Sequence, residues 1–324
     1  MNDQYPEKEK ADTNKPPQLS EDIIFECFLE SVRKNFGIEI KKEDAKQILE
    51  FLEEVKQNQL SNPKSIIKDY YRCAELDYQA AMLLKSKEDL IPLAVFHLQQ
   101  AVEKLTKAYA LHMGLIKEEE LYGKRKNKHK TEVVGHISPK SFILLLRKKR
   151  GAIKYVETVF LVAAREPRIS VEKVCLEFEK LIQEPHKLAG ISSNEINSLI
   201  RKCEKLQQSI RKINVREIKL RTRRCVDGFI SRLKQRGVSL EKIEESCKVS
   251  GWLKDNVNLT ALQWFPQLYI STIITFPHFS YSRYPGDKIT FADYRKGRLG
   301  IVDSLDVILG YVNDIMKKLK NLGR

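Results

Sequence analysis

CAELDYQAAMLL (73–84) and FHLQQAVEKLTKAYALHMG (96–114) decide the fold, because both repeat their apolar residues at helical and not at strand spacing. Tyr71, Ala74, Tyr78 and Ala81 recur at intervals of three, four and three, which places them on one face of a helix over about 65–85. Ala94, Leu98, Ala101, Leu105 and Ala108 do the same over about 92–112. Pro92 sits in the first turn, where its missing N–H costs nothing, and Gly114 is placed to end the helix. A polar line, His97, Gln100, Lys104 and Lys107, climbs this second helix at the same three-four-three spacing.

Working outward, residues 1–18 are polar and Pro-, Lys- and Glu-rich, the composition of a mobile tail. Residues 19–60 hold two amphipathic stretches, Ile23 to Phe36 and Ala45 to Val55, expected as an accessory helical hairpin closed off by Ser61-Asn62-Pro63. Residues 61–150 and 255–324 are expected to form one antiparallel helical bundle, and 151–254 a basic helical insertion between its halves. In the insertion, Leu199, Cys203, Leu206, Ile210 and Ile213 alternate four and three apart, a short seam expected to pack inside the protein. Ile270 to Phe276 is rich in β-branched and aromatic residues, but no partner strand lies nearby and helix is the better reading. Thr290 and Asp293 fit a capping box, expected to open the final helix, whose stripe is Leu305, Ile308, Val312, Ile315 and Leu319. The fold class expected is all-α.

The chemistry this composition excludes is broad. No stretch approaches the ~20 apolar residues of a membrane span, and the N-terminus lacks the apolar core of a secretion signal, so a cytoplasmic protein without membrane contact is expected. Six cysteines without CxxC pairing and six scattered histidines argue for free thiols and no metal centre. No phosphate-loop, dinucleotide, HExxH or GxSxG motif is present, and no cofactor is expected. Charge is the positive signal: the chain carries a net +15, and Arg201 to Arg236 holds 13 Lys or Arg against Glu204, Glu217 and Asp227. Clustered cations concentrate polyanions, which makes Arg221, Arg223 and Arg224 candidate nucleic-acid contacts, although such a run also serves as a solvated helix face.

These features resemble the HEPN family, whose domain is a bundle of four or five helices. One branch carries an Ala- and Asp-bearing helix, then a helix with Phe, paired Gln, Glu-Lys and Lys-Ala, then Gly-His, then Arg-Tyr-Pro. The matching residues here are Ala74, Asp77, Ala81, Phe96, Gln99, Gln100, Ala101, Glu103, Lys104, Lys107, Ala108, Gly135, His136, Arg283, Tyr284 and Pro285. The resemblance covers roughly 65–150 and 255–322, with the basic insertion lying between the Gly-His and Arg-Tyr-Pro elements.

The resemblance implies a homodimer that binds RNA or a nucleotide, in a defence or toxin–antitoxin setting, with a nucleotidyltransferase as a possible partner. Some family members are metal-independent ribonucleases, and these carry an Arg, four to six residues, then a His. No histidine here has that spacing. Arg125 and His129 come nearest, with three residues between, and with His136 they are the material for a nonstandard catalytic site. A third reading is a non-catalytic subunit whose insertion docks a partner protein. Gln100, Lys104 and Lys107 either line a phosphate groove or complete the polar side of the bundle with both lysines exposed, and Glu103 can pair with Lys107 at i,i+4. Arg283 either contacts phosphate or ties its loop to a helix end.

Overall fold

In the computed structural model the helices that begin at Lys64 and Ile91 start beside Pro63 and Pro92. The structure describes residues 21–121, 184–211, 215–239, 241–244, 264–283 and 288–322. In chain order the helices are α1 (Glu21–Phe36), α2 (Lys42–Ser61), α3 (Lys64–Leu84), α4 (Ile91–His112), α5 (Glu118–Leu121), α6 (Pro185–Ala189), α7 (Ser193–Arg211), α8 (Val215–Gln235), α9 (Phe265–Thr275), α10 (His278–Tyr281), α11 (Gly300–Asp303) and α12 (Leu305–Leu322). Single 3₁₀ turns lie at Glu88–Leu90 and Phe291–Asp293. No strand occurs among the described residues, and the all-α class stands. Ile270 to Thr275 lies inside α9. The tail 1–18, Arg125, His129, Gly135, His136, the helix expected at 142–146, Tyr284 and Pro285 lie outside the described residues.

Pro63 caps α3 in extended conformation, and Pro92 occupies the first turn of α4. At the far end of α4, Gly114 has φ +67°, and a Cβ there would lie 2.3 Å from the Val55 carbonyl oxygen. Glycine is required on both counts, backbone conformation and close approach to α2. Asn58 of α2 and Asn62, the residue that caps it, then clamp this end: Asn58 Nδ2 donates to Gly114 O at 2.8 Å, and Asn62 Nδ2 donates to Leu111 O and Ile116 O at 2.9 and 2.8 Å. Buried amides thus satisfy carbonyls at and just beyond the end of α4.

α3 and α4 run antiparallel, since Asp77 meets His97 and Lys104 while Tyr70 lies under Lys107. α3 and α12 are antiparallel as well: Lys85 reaches Asp306, and Tyr71 Oη donates to Met316 O at 2.7 Å. Ala74 and Ala81 are fully buried, and small residues there let α3 approach its neighbours closely. One core joins Ala94, Leu98, Leu105 and Tyr109 of α4 with Leu268 and Ile274 of α9, Ile301 of α11 and Val312 and Ile315 of α12. Residues from before and after the basic insertion therefore share one interior.

α7 joins the same core. Its buried line is Ile196, Ile200, Cys203 and Gln207, whereas Leu199 is half-buried. Of the expected seam, Cys203 is in the core and Leu199 at its edge, while the side chains of Leu206, Ile210 and Ile213 lie outside the described residues; Ile196 and Ile200 extend the buried stripe toward the start of the helix. The Thr290–Asp293 capping box forms, with Thr290 N donating to Asp293 Oδ2 at 2.7 Å. It opens the 3₁₀ turn 291–293 and not the final helix, which starts at Leu305. The turn at 296–298 with Gly297 at φ +77°, and extended Leu299 after it, intervene, so the chain turns before it can propagate a helix.

α1 builds a second core with α8: Cys27 and Phe28 pack on Phe229, Leu233, Val238 and Ile243. Polar contacts border it. Arg232 pairs with Glu30 at 3.1 Å and donates to Ser31 Oγ at 2.6 Å, and Arg236 pairs with Glu26 and Glu30 at 3.4 and 3.5 Å.

Candidate functional site

Among the described residues two places gather chemistry: the seam between α3 and α4, and the outer face of α8. In the seam, Asp77 is the hub. Its Oδ1 accepts from His97 Nδ1 at 2.9 Å, and its other oxygen takes the Lys104 ammonium. The three side chains are 15%, 32% and 27% exposed, so the cluster opens to solvent on the His97 and Lys104 side. With Nδ1 committed to the carboxylate, a neutral His97 keeps Nε2 as an acceptor, the arrangement of an oriented general base.

One turn along, a second chain of contacts is closed. Gln100 Nε2 donates to Gln99 Oε1 at 2.6 Å, Gln99 Nε2 to Glu103 Oε2 at 3.1 Å, and Lys107 Nζ to Glu103 Oε1 at 2.9 Å. Lys107 also lies 5.8 Å from the Tyr70 ring centroid. It is buried, unlike in the reading that leaves both lysines exposed, because a carboxylate one turn earlier and an aromatic face on α3 receive its ammonium. Arg283 is exposed, and its guanidinium lies 5.1 Å from the Phe96 ring and 5.6 Å from the Phe279 ring. The structure thus brings Gln100, Lys104, Lys107 and Arg283 onto or beside α4. Asp77 and Glu103 balance Lys104 and Lys107, so the seam offers no excess of positive charge. An anion entering it competes with Asp77 for Lys104.

The outer face of α8 differs. Arg216, Lys219, Arg223 and Arg224 are exposed. Positions 216, 219 and 223 fall on one side of the helix, with Leu220, 48% exposed, among them. Of the three arginines singled out by sequence, Arg223 and Arg224 belong to this face, while Arg221 pairs with Glu217. At the other end of the helix, Arg232 and Arg236 are turned onto the carboxylates of α1. Cations of one helix are therefore sorted, some neutralised by the protein and some left to solvent. Sequence density alone did not separate Arg216 from Arg221 or Arg232, because the separating acids lie one turn away or on α1.

The buried ionisable groups are chemically quiet. Burial pushes the Cys203 thiol up to about 11 and the Cys225 thiol up to about 12, which keeps both protonated and poor nucleophiles. His278 is fully buried, its pKa brought down to about 3 by desolvation, and its Nδ1 lies 2.9 Å from the Tyr294 hydroxyl. Among the described residues no group of His, Cys, Asp and Glu is placed to hold a metal ion, and no helix is long and apolar enough to cross a membrane. Sequence reasoning had placed Asp77 in a family pattern without a partner. Its position one helical turn below Ala81, on the side of α3 that meets α4, was the available signal. No family model, curated protein or solved structure matches this chain.

Proposed function

We propose that this chain is a HEPN-type protein that binds RNA or a nucleotide through its phosphates, in a defence or toxin–antitoxin setting. The observation that carries the reading is the exposed cationic face of α8, Arg216, Lys219, Arg223 and Arg224. Four cations on one helix, with the neighbouring Glu217 already paired with Arg221, attract a polyanion by charge and release its counterions on binding. A single strand fits better than a rigid duplex, since exposed Leu220 gives an apolar contact for an unstacked base amid the arginines.

The test is anisotropy of labelled single-stranded RNA across a salt series. Each phosphate contact contributes about 0.7 to the slope of log K against log salt. Replacing Arg216, Arg223 and Arg224 by Ala flattens that slope by about 2 and weakens binding, with helicity unchanged. An unaltered slope sinks the proposal. A second reading, metal-independent RNA cleavage, is favoured by the Asp77–His97 pair. RNA recovered intact after incubation in chelator rules against it, and cleavage lost in His97→Ala supports it.

A further inference from the structure

The capping box of Thr290 and Asp293 does not open the final helix. It helps to build a pinned, cationic turn over 288–298. Ile289, Tyr294 and Leu299 are buried and belong to the bundle core. The Tyr294 hydroxyl lies 2.9 Å from Nδ1 of buried His278, and Gly297 N donates to Asp303 Oδ1 at 2.8 Å. Around these anchors Lys288, Phe291, Arg295, Lys296 and Arg298 are all exposed. The turn therefore holds its backbone to the protein and sends its charged side chains into water.

Charge and shape on this turn select the same ligand. Residues 288–298 hold four cations against Asp293, whose carboxylate already accepts from Thr290 N and Thr290 Oγ1 at 2.7 and 2.8 Å. Phe291 is 41% exposed, three residues after Lys288 and four before Arg295. An aromatic ring left in water among arginines is a stacking platform: an unpaired base lies on the ring while guanidinium groups take the phosphates beside it. Pinning the turn in advance lowers the ordering cost of binding. A lipid surface is the other polyanion such a turn meets. Interfacial binding scales with the apolar area inserted, and one ring offers little of it, whereas a base needs only one ring. The turn is also separate from the cationic face of α8. Its end at Gly300 packs against the start of α7, where a Cβ would lie 2.3 Å from Ile191 O. α8 follows the opposite end of α7, whose 19 residues rise about 28 Å.

We propose that the turn 288–298 is a second, separate site for single-stranded RNA, in which one unpaired base stacks on Phe291 and the adjoining phosphates are held by Lys288, Arg295, Lys296 and Arg298. The proposal rests on the reading of this chain as an RNA binder and adds strand selectivity to it. Cations alone attract any phosphate backbone. A duplex keeps its bases stacked on one another and has none to give to Phe291.

Anisotropy of a labelled single-stranded RNA, and of the same RNA annealed to its complement, tests the site on the full chain. Phe291→Ala should weaken the single strand about 5- to 150-fold with its salt slope unchanged, and should leave the duplex unaffected. Phe291→Leu keeps an apolar side chain without the ring and should lose as much. Phe291→Trp should keep the affinity, and RNA should quench its fluorescence beyond any change in the parent. Replacing Arg295, Lys296 and Arg298 together by Ala should lower the slope of log K against log salt by about 2, at about 0.7 for each phosphate contact. All of these side chains are exposed, so thermal unfolding should not change. Replacing Arg216, Arg223 and Arg224 by Ala separates this site from the α8 face. Losses there, with none in Phe291→Ala or the turn variant, overturn the turn as a site and leave the α8 reading standing. A parent that binds no RNA overturns both. Equal losses for single strand and duplex in Phe291→Ala, or Phe291-dependent sedimentation with phosphatidylglycerol vesicles at unchanged RNA affinity, also overturn the proposal.

Discussion

Replacing Lys107 by Met separates a bundle-building lysine from a ligand-binding one. The Lys107 and Glu103 side chains are 9% and 6% exposed, and their charged atoms are 2.9 Å apart. Removing the lysine leaves a carboxylate in a desolvated site, and breaking such a buried pair costs about 3–5 kcal/mol. Unfolding entropy of about 2.1 cal/mol/K per residue gives roughly 0.7 kcal/mol/K for a chain of 324 residues, so Tm should fall by about 4–7 °C. Removing both charges, Glu103→Gln with Lys107→Met, eliminates the stranded carboxylate and should return to within ~1–2 kcal/mol of the parent. Lys104→Met is the comparison. Its pair with Asp77 is about a quarter exposed on the lysine side, so screening holds the loss to ~1 kcal/mol. Urea and thermal unfolding followed by circular dichroism measure all three. The reasoning is refuted by a Lys107→Met variant within ~1 kcal/mol of the parent, or by a double variant whose loss equals the sum of the single losses. Lost RNA affinity without lost stability would move Lys107 from the bundle to the ligand site.

Two further outcomes follow from single buried positions. His278 titrates at about 3 in the folded chain against an ordinary 6.5, so between those values the unfolded chain binds a proton that the folded one rejects. Stability therefore falls as pH drops through that window, by up to ~1.4 kcal/mol per pH unit from this group, and His278→Gln should flatten the fall in urea midpoints without abolishing it. Gly114→Ala combines a positive φ with a Cβ 2.3 Å from the Val55 carbonyl oxygen and should cost about 2–4 kcal/mol. Gly310→Ala, in α12 with nothing within 4 Å, should instead stabilise by about 0.5–1 kcal/mol. Equal effects at the two glycines would show that contact with α2 does not fix the end of α4.

The helices were legible because their information is local. The stripes of α3, α4 and α12, the proline starts and the Gly114 stop each depend on residues within a few turns. What escaped was the pairing of distant groups. Asp77 and Lys104 are 27 residues apart and Arg232 and Ser31 are 201 apart, and no helical period pairs side chains across either gap. The sequence leaves the exposure of Lys107 open for a related reason. Its i,i+4 partner was visible, but the Tyr70 ring that helps cover it comes from another helix. The capping box shows the reverse case: Thr290 and Asp293 satisfy each other locally, and what they start is decided by the bend that follows.

The same distinction explains why charge density overstated the reach of the basic segment. A run of cations read along the chain counts Arg221, Arg232 and Arg236 equally with Arg216 and Arg223. In three dimensions Glu217, Glu26 and Glu30 claim the first group, and α1 is held on α8 by that exchange as well as by Cys27, Phe28 and Phe229. α8 is therefore one helix with two tasks separated along its length. Its C-terminal turns build a core with α1, and its N-terminal turns keep their arginines in water. A polyanion bound to the second group leaves the first untouched, so RNA should alter neither the α1–α8 contacts nor the stability they provide, beyond the gain that any ligand of the folded state brings. Protection of α1 amides from hydrogen exchange that collapses on adding RNA would mean that the two ends of α8 are not independent, and that the carboxylates of α1 compete for the same cations.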